Sequence, residues 1–99
     1  EEISIPLLPY SGVDLVEGMG PEYPRVLILE IMLNSISSIH PEIIPVEVGN
    51  DFGPNTTAAV IAFQNLYNLP PTGVVNEETW DKLVEVYQLY LIERSKAST

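Results

Sequence analysis

Asp51-Phe52-Gly53-Pro54-Asn55-Thr56-Thr57-Ala58-Ala59-Val60-Ile61-Ala62-Phe63-Gln64 decides the fold of this 99-residue chain. Gly53 permits a sharp turn, and Pro54 suits the first helical position, where its missing N–H is not needed. Beyond it, Ala59, Val60, Phe63, Leu66 and Tyr67 recur at helical spacing and form one apolar face. The stretch therefore predicts a turn, a helix start and a core-facing helix over 54–68, which Pro70 and Pro71 bring to an end.

The same grammar recurs at Gly73-Val74-Val75-Asn76-Glu77-Glu78-Thr79-Trp80. A shift of 23 residues superposes Phe52, Thr56, Val60 and Phe63 on Val75, Thr79, Leu83 and Val86, a weak internal repeat. In the second copy Asn76 is a favourable N-cap, and Glu77 and Glu78 place carboxylates where a helix dipole welcomes them. Trp80, Leu83, Val84, Tyr87, Tyr90 and Leu91 then form one stripe, predicting a helix over 77–92. Upstream, Val26, Leu29, Leu33 and Ile36 form a third stripe, predicting a helix from Pro24 to Ser38. Neither repeat unit buries its apolar face alone, so the three helices are expected to pack together. The expected core is Val26, Leu29, Leu33, Phe52, Val60, Phe63, Trp80, Leu83 and Tyr87. The fold class is all-α, a small three-helix bundle over 24–92, with a C-terminal tail over 93–99.

Residues 1–23 hold Pro6, Pro9, Pro21, Gly12, Gly18 and Gly20, which excludes a long helix and predicts an extended arm or linker. Ile3, Ile5, Leu7, Leu8, Leu15 and their neighbours are too apolar for a purely flexible linker, so part of the arm is expected to lie on the helices. Leu27, Ile28, Ile31 and Met32 make the first helix apolar around most of its girth. If the arm leaves them bare, they predict a docking surface. In the 40–53 connection, Val46, Glu47 and Val48 suggest a short extended piece.

Composition narrows the function. Four Lys/Arg against fourteen Asp/Glu give a formal charge of −10, so nucleic acid and anionic membrane surfaces are poor partners. The absence of cysteine excludes disulfides and thiolate zinc sites. No run of about 18 apolar residues marks a membrane span. The chain starts at Glu1 with no basic-then-apolar leader, so it is expected to be a piece of a longer protein, with any export signal outside it.

Catalysis finds little support. His40, the only histidine, precedes a proline in a loop, and no spaced cluster of zinc ligands occurs. Glu77, Glu78, Asp81 and Glu85 are accounted for by a helix start and its outer face. Asn50, Asp51 and Asn55 make only a sparse version of a calcium loop. Trp80 has two readings, a sugar-stacking surface or a core residue at the head of its stripe, and the stripe favours the core. Asn50, Asp51 and Gln64 are the candidate ligand contacts. Polar residues set in an apolar motif need partners when buried, so each also has a structural reading in the turns.

The motifs Asp51-Phe52-Gly53-Pro54-Asn55-Thr56, Ala59-Val60, Phe63-Gln64, Thr72-Gly73-Val74-Val75 and Thr79-Trp80 with Leu83 resemble the peptidoglycan-binding-like domain, across roughly residues 24–88. The upstream run Pro9-Tyr10-Ser11-Gly12, Glu17-Gly18 and Gly20-Pro21 resembles its Gram-positive, clostridial form. The resemblance implies a non-catalytic bacterial module, extracellular at the cell wall or spore envelope, that needs no cofactor or metal. Its implied partners are the peptidoglycan glycan or stem peptide and attached domains of a longer chain, among them cell-wall hydrolases. A scaffold domain that docks on neighbouring domains without binding glycan is the alternative. Two departures stand out: Gly49-Asn50 where the family usually has Asp-Gly, and Glu30 where it usually has glutamine.

Overall fold

The computed structural model describes residues 9–20, 22–49 and 51–97. Three helices follow in chain order: α1 Pro24–Ser37, α2 Pro54–Leu66 and α3 Glu77–Ala97. No strand occurs among the described residues, so the expected all-α three-helix bundle is what the chain forms. The arrangement follows the stripes. Val26, Leu29, Leu33, Phe52, Val60, Phe63, Trp80 and Leu83 are all essentially buried, with Tyr87 half-buried at their edge. Trp80 is therefore a core residue, covered on one side by the Arg25 guanidinium, 5.1 Å from its ring centroid. A sugar-stacking role for its face is excluded by that burial.

The helix ends follow local chemistry. Pro opens α1 and α2 at the first position. Asn76 caps α3 through its side chain, whose oxygen accepts the Thr79 N–H at 3.0 Å. Gly53 is the N-cap of α2, but its φ of −104° is extended backbone open to any residue, so the turn does not require glycine there. The position that requires glycine is Gly73, at φ +79°, where a Cβ would sit 3.0 Å from the Thr57 side chain. α2 stops at Leu66 rather than 68, because Asn68 turns left-handed (φ 60°) and Leu69 N–H closes back on the Gln64 carbonyl at 2.8 Å. α1 ends where the Ser37 and Ser38 hydroxyls turn back onto the Asn34 and Ser35 carbonyls.

α3 continues to Ala97, five residues beyond the expected 92, so the expected 93–99 tail is helical over its described part. Arg94 and Lys96 lie in its last turn, where cations suit the dipole, and Lys96 Nζ lies 3.8 Å from Glu93. The 40–53 connection forms no strand. Ile43 and Val46 anchor it by dropping into the core.

The arm is part of the fold. Leu15 is 3% exposed and exchanges two backbone hydrogen bonds with Val75, at 3.0 and 2.9 Å. Three and four residues later, Gly18 N–H donates to the Phe52 carbonyl and the Met19 carbonyl accepts Phe52 N–H, both at 2.9 Å. Phe52 and Val75 are the equivalent residues of the two repeat units, so a single arm clamps both turns. Among Leu27, Ile28, Ile31 and Met32, Met32 is buried, Leu27 and Ile28 are half-buried and Ile31 is exposed. They form no continuous bare patch. Cover by residues 3–8, as expected, falls outside the described residues.

Two stability measurements check this packing. Phe63→Ala should lose about 3–5 kcal/mol of unfolding free energy. Leu15→Ala should lose about 2–5 kcal/mol, as a buried leucine does, and a surface-like loss below 0.5 kcal/mol would show the arm to be dispensable.

Candidate functional site

Buried polar residues hold the two turns. Gln64 on α2 is 1% exposed, and its amide is engaged at both ends. Its Oε1 accepts Gly73 N–H at 3.0 Å, while Nε2 donates to the Val74 carbonyl at 3.0 Å and the Thr79 hydroxyl at 3.1 Å. Glu30 on α1, fully buried, repeats the device one helix earlier. Its Oε1 accepts Gly49 N–H at 3.1 Å, and its Oε2 accepts the Thr56 hydroxyl at 2.9 Å. Thr56 and Thr79 hold the same third helical position in α2 and α3. Each turn is thus fastened to the preceding helix by one long polar side chain that takes a glycine N–H and a threonine hydroxyl. The role of Glu30 was not legible as such: the sequence showed it only as a charge in a greasy helix where the family usually has glutamine, and a buried charge needs partners.

Gln64 therefore has no exposed polar atom to offer a ligand in this fold. Asp51 differs. It is exposed, and its carboxylate hydrogen-bonds to no described residue. It lines a cleft of about 370 Å³ with Glu47, Gly49, Asn55 and Thr56. Asn50, the third candidate, lies outside the described residues. The sequence candidates thus divide: Asp51 faces the cleft, and Gln64 is fixed elsewhere in the interior.

The cleft combines acceptors and donors. Glu47 and Asp51 supply carboxylates. α2 begins at its edge with no side-chain cap, and Pro54 has no N–H. The first-turn amides of Asn55 and Thr56 thus lie where helices characteristically leave donors open. Asn55 adds an exposed side-chain amide. Such a surface suits an uncharged or cationic ligand rich in amide groups, and its carboxylates oppose anions.

A second, apolar groove of about 620 Å³ lies at the other end of the bundle, between Ile39, His40, Tyr67 and the Val86–Arg94 part of α3. The Tyr67 hydroxyl lies 3.1 Å from His40 Nε2. Burial pushes the Tyr67 phenol above its ordinary pKa, which keeps it a donor. Glu42 Oε1 lies 4.0 Å from the other ring nitrogen, Nδ1. No group of three metal-ligating side chains gathers among the described residues, and no helix is long and apolar enough to cross a membrane.

Comparison with known families agrees with this architecture. Residues 22–83 match the model of the putative peptidoglycan binding domain, and the chain belongs to that family. The match spans the first repeat unit, the second as far as Leu83, both buried polar fasteners and every residue named above at the Asp51 cleft. No curated protein and no solved structure matches the chain.

Substitutions separate fastening from surface. Gln64→Ala leaves the buried Gly73 N–H unpaired and should cost at least about 1–3 kcal/mol, whereas Asp51→Ala should leave the melting temperature unchanged. Glu30→Gln should fold with a melting temperature at or above the parent's. A glutamine carbonyl can take the Gly49 N–H, and its amide can donate to a reoriented Thr56 hydroxyl, without burying a charge. Glu30→Ala strands that hydroxyl and should lower stability by about 1–3 kcal/mol. Thermal denaturation of the four variants distinguishes these outcomes.

Proposed function

We propose that this chain is a non-catalytic cell-wall module that holds an attached protein, such as a cell-wall hydrolase, against bacterial peptidoglycan. Membership of the putative peptidoglycan binding domain family across residues 22–83 carries the reading. The cleft beside α2 supports it as the contact surface. Peptidoglycan is rich in N-acetyl and peptide amides, which need both donors and acceptors, and its stem peptides carry amines that carboxylates attract. Asp51 is the leading contact, with Glu47 and Asn55 beside it and Asn50 kept as a candidate from the sequence. Gln64 acts in this reading as scaffolding behind the neighbouring turn.

Tethering suits such a surface. Even a weak contact raises the local concentration of an attached enzyme near its substrate. The charge of −10 opposes anionic wall polymers, so binding is expected on the glycan and its peptides once those polymers are stripped. The site of action is then extracellular, at the cell wall. No nucleophile–base pair is placed at the cleft, and hydrolysis of the wall by this domain is not expected.

Retention on acid-stripped Gram-positive peptidoglycan tests the proposal. The intact domain should be retained above an unrelated acidic domain and release no sugar or stem peptide. Asp51→Ala and Asn50→Ala should reduce retention at unchanged melting temperature. If the intact domain is not retained above the control, the peptidoglycan reading falls and a role in docking on neighbouring domains replaces it.

A further inference from the structure

The apolar groove at the end of the bundle is used neither by the core nor by the Asp51 cleft. It exists because α3, with 21 residues, outruns α1 with 14 and α2 with 13. On its walls Ile39 is 50% exposed and Leu89 56%. Large apolar side chains gathered on one exposed face mark a contact site.

A second feature stands within four residues of it. Ile44, at 71%, is the most exposed large apolar side chain among the described residues. Ile43 before it and Val46 two positions after it are buried, so the loop is held against the core with Ile44 turned outward. The loop is also tied to the groove's wall. Ile43 N–H donates to the His40 carbonyl at 3.0 Å, and Glu42 Oε1 lies 4.0 Å from His40 Nδ1. Knob and groove therefore share His40 as a common edge.

Charge is arranged in the same way. The chain carries −10 overall, yet the groove is lined by one carboxylate, Glu93, and one guanidinium, Arg94. Arg94 pairs with no described residue, although carboxylates outnumber cations by fourteen to four. The Glu42 side chain, beside the knob, is 59% exposed. One face thus presents a knob and a groove, an anion and a cation. A foreign partner needs only one of each. Holding both is what a two-fold contact requires, since residue i meets j while j meets i. Repulsion between two acidic chains does not forbid it, because exposed charges more than about 8 Å apart are largely screened at physiological salt.

We propose that two copies of this chain dimerise through this face. Ile44 of each sits in the groove of the other, against Leu89 and Tyr90, with Glu42 of each at Arg94 of the other. Thr56 at the cleft and Tyr67 at the groove are eleven positions apart, or about 16 Å at 1.5 Å per helical residue. Both Asp51 clefts therefore stay open in the dimer. Two joined wall contacts hold more firmly than one, and this consequence alone rests on the peptidoglycan reading.

Sedimentation equilibrium of the intact chain from about 10 μM to about 1 mM, the range that populates weak contacts, should show a monomer–dimer equilibrium that stops at two. Ile44→Asp and Leu89→Asp, both at exposed positions, should each weaken it by more than about tenfold, while dilute protein keeps its melting temperature. Arg94→Glu should weaken it less, and adding Glu42→Lys should restore it. The decisive sample mixes the Ile44→Asp and Leu89→Asp chains. Their heterodimer keeps one whole contact, so the mixture should associate more tightly than either variant by itself. A chain that stays monomeric throughout overturns the proposal and leaves the groove to a different partner. A mixture no tighter than its components shows that Ile44 does not fill the groove. Assemblies that grow past two show a contact without two-fold closure, and either result overturns the proposal too.

Discussion

A buried amide or carboxylate that fastens a turn to the preceding helix is the interaction on which this domain depends. Short helices contribute little by themselves, since nucleation is costly and most helical stability comes from packing. Two of the three helices here have only 13 and 14 residues. What sets where α2 and α3 begin is the polar side chain behind each turn. Glu30 holds Gly49 and Thr56, and Gln64 holds Gly73 and Thr79, all within 3.1 Å. Each fastener is satisfied inside the protein, and none of the described buried side-chain polar atoms lacks a partner. In a low-dielectric interior, such bonds are strong when complete and costly when broken.

The same geometry explains how the fastening of the turn and the Asp51 cleft sit side by side, with Gly49 and Thr56 belonging to both. Thr56 points inward to Glu30, while Asn55 beside it faces the cleft. Gly49 gives its N–H to Glu30, while Asp51 two residues on leaves its carboxylate unclaimed by the described residues. The polar side chains that hold the loop are turned in, and those left over face outward. Within the proposed reading, the cleft changes its chemistry through Glu47, Asp51 and Asn55 without disturbing the fasteners. The charge at Glu30 has the same logic, because its two partners are both donors and accept a carboxylate as readily as an amide oxygen.

The arm carries the second constraint. Its bridge to Val75 and its bonds to Phe52 tie the two repeat units together from one side. Thr57 adds a side-chain link by donating to Glu17 at 2.8 Å. A stretch rich in proline and glycine thereby acts as a strap over both turns. Pro and Gly exclude helix there, and extended backbone is the form that leaves N–H and carbonyl groups free to bridge.

Much of this was determined by the sequence alone. The three apolar stripes specified three helices and a core that was correct at eight positions and half-buried at the ninth. The 23-residue repeat placed Thr56 and Thr79 at equivalent sites, and the motif residues pointed to the family. These features are local: periodicity, caps and breakers act over a turn or two, so a linear reading captures them. The tertiary structure alone decided which polar residues face inward. Asp51 and Gln64 looked alike as candidates, and only packing separated an exposed carboxylate from an amide bonded on both ends. It also decided that Gly73 rather than Gly53 needs its glycine, that Leu15 belongs to the core, and that α3 runs past residue 92. Each of these depends on what lies across the bundle, at separations of up to 60 residues between Leu15 and Val75, and no local pattern encodes such a contact.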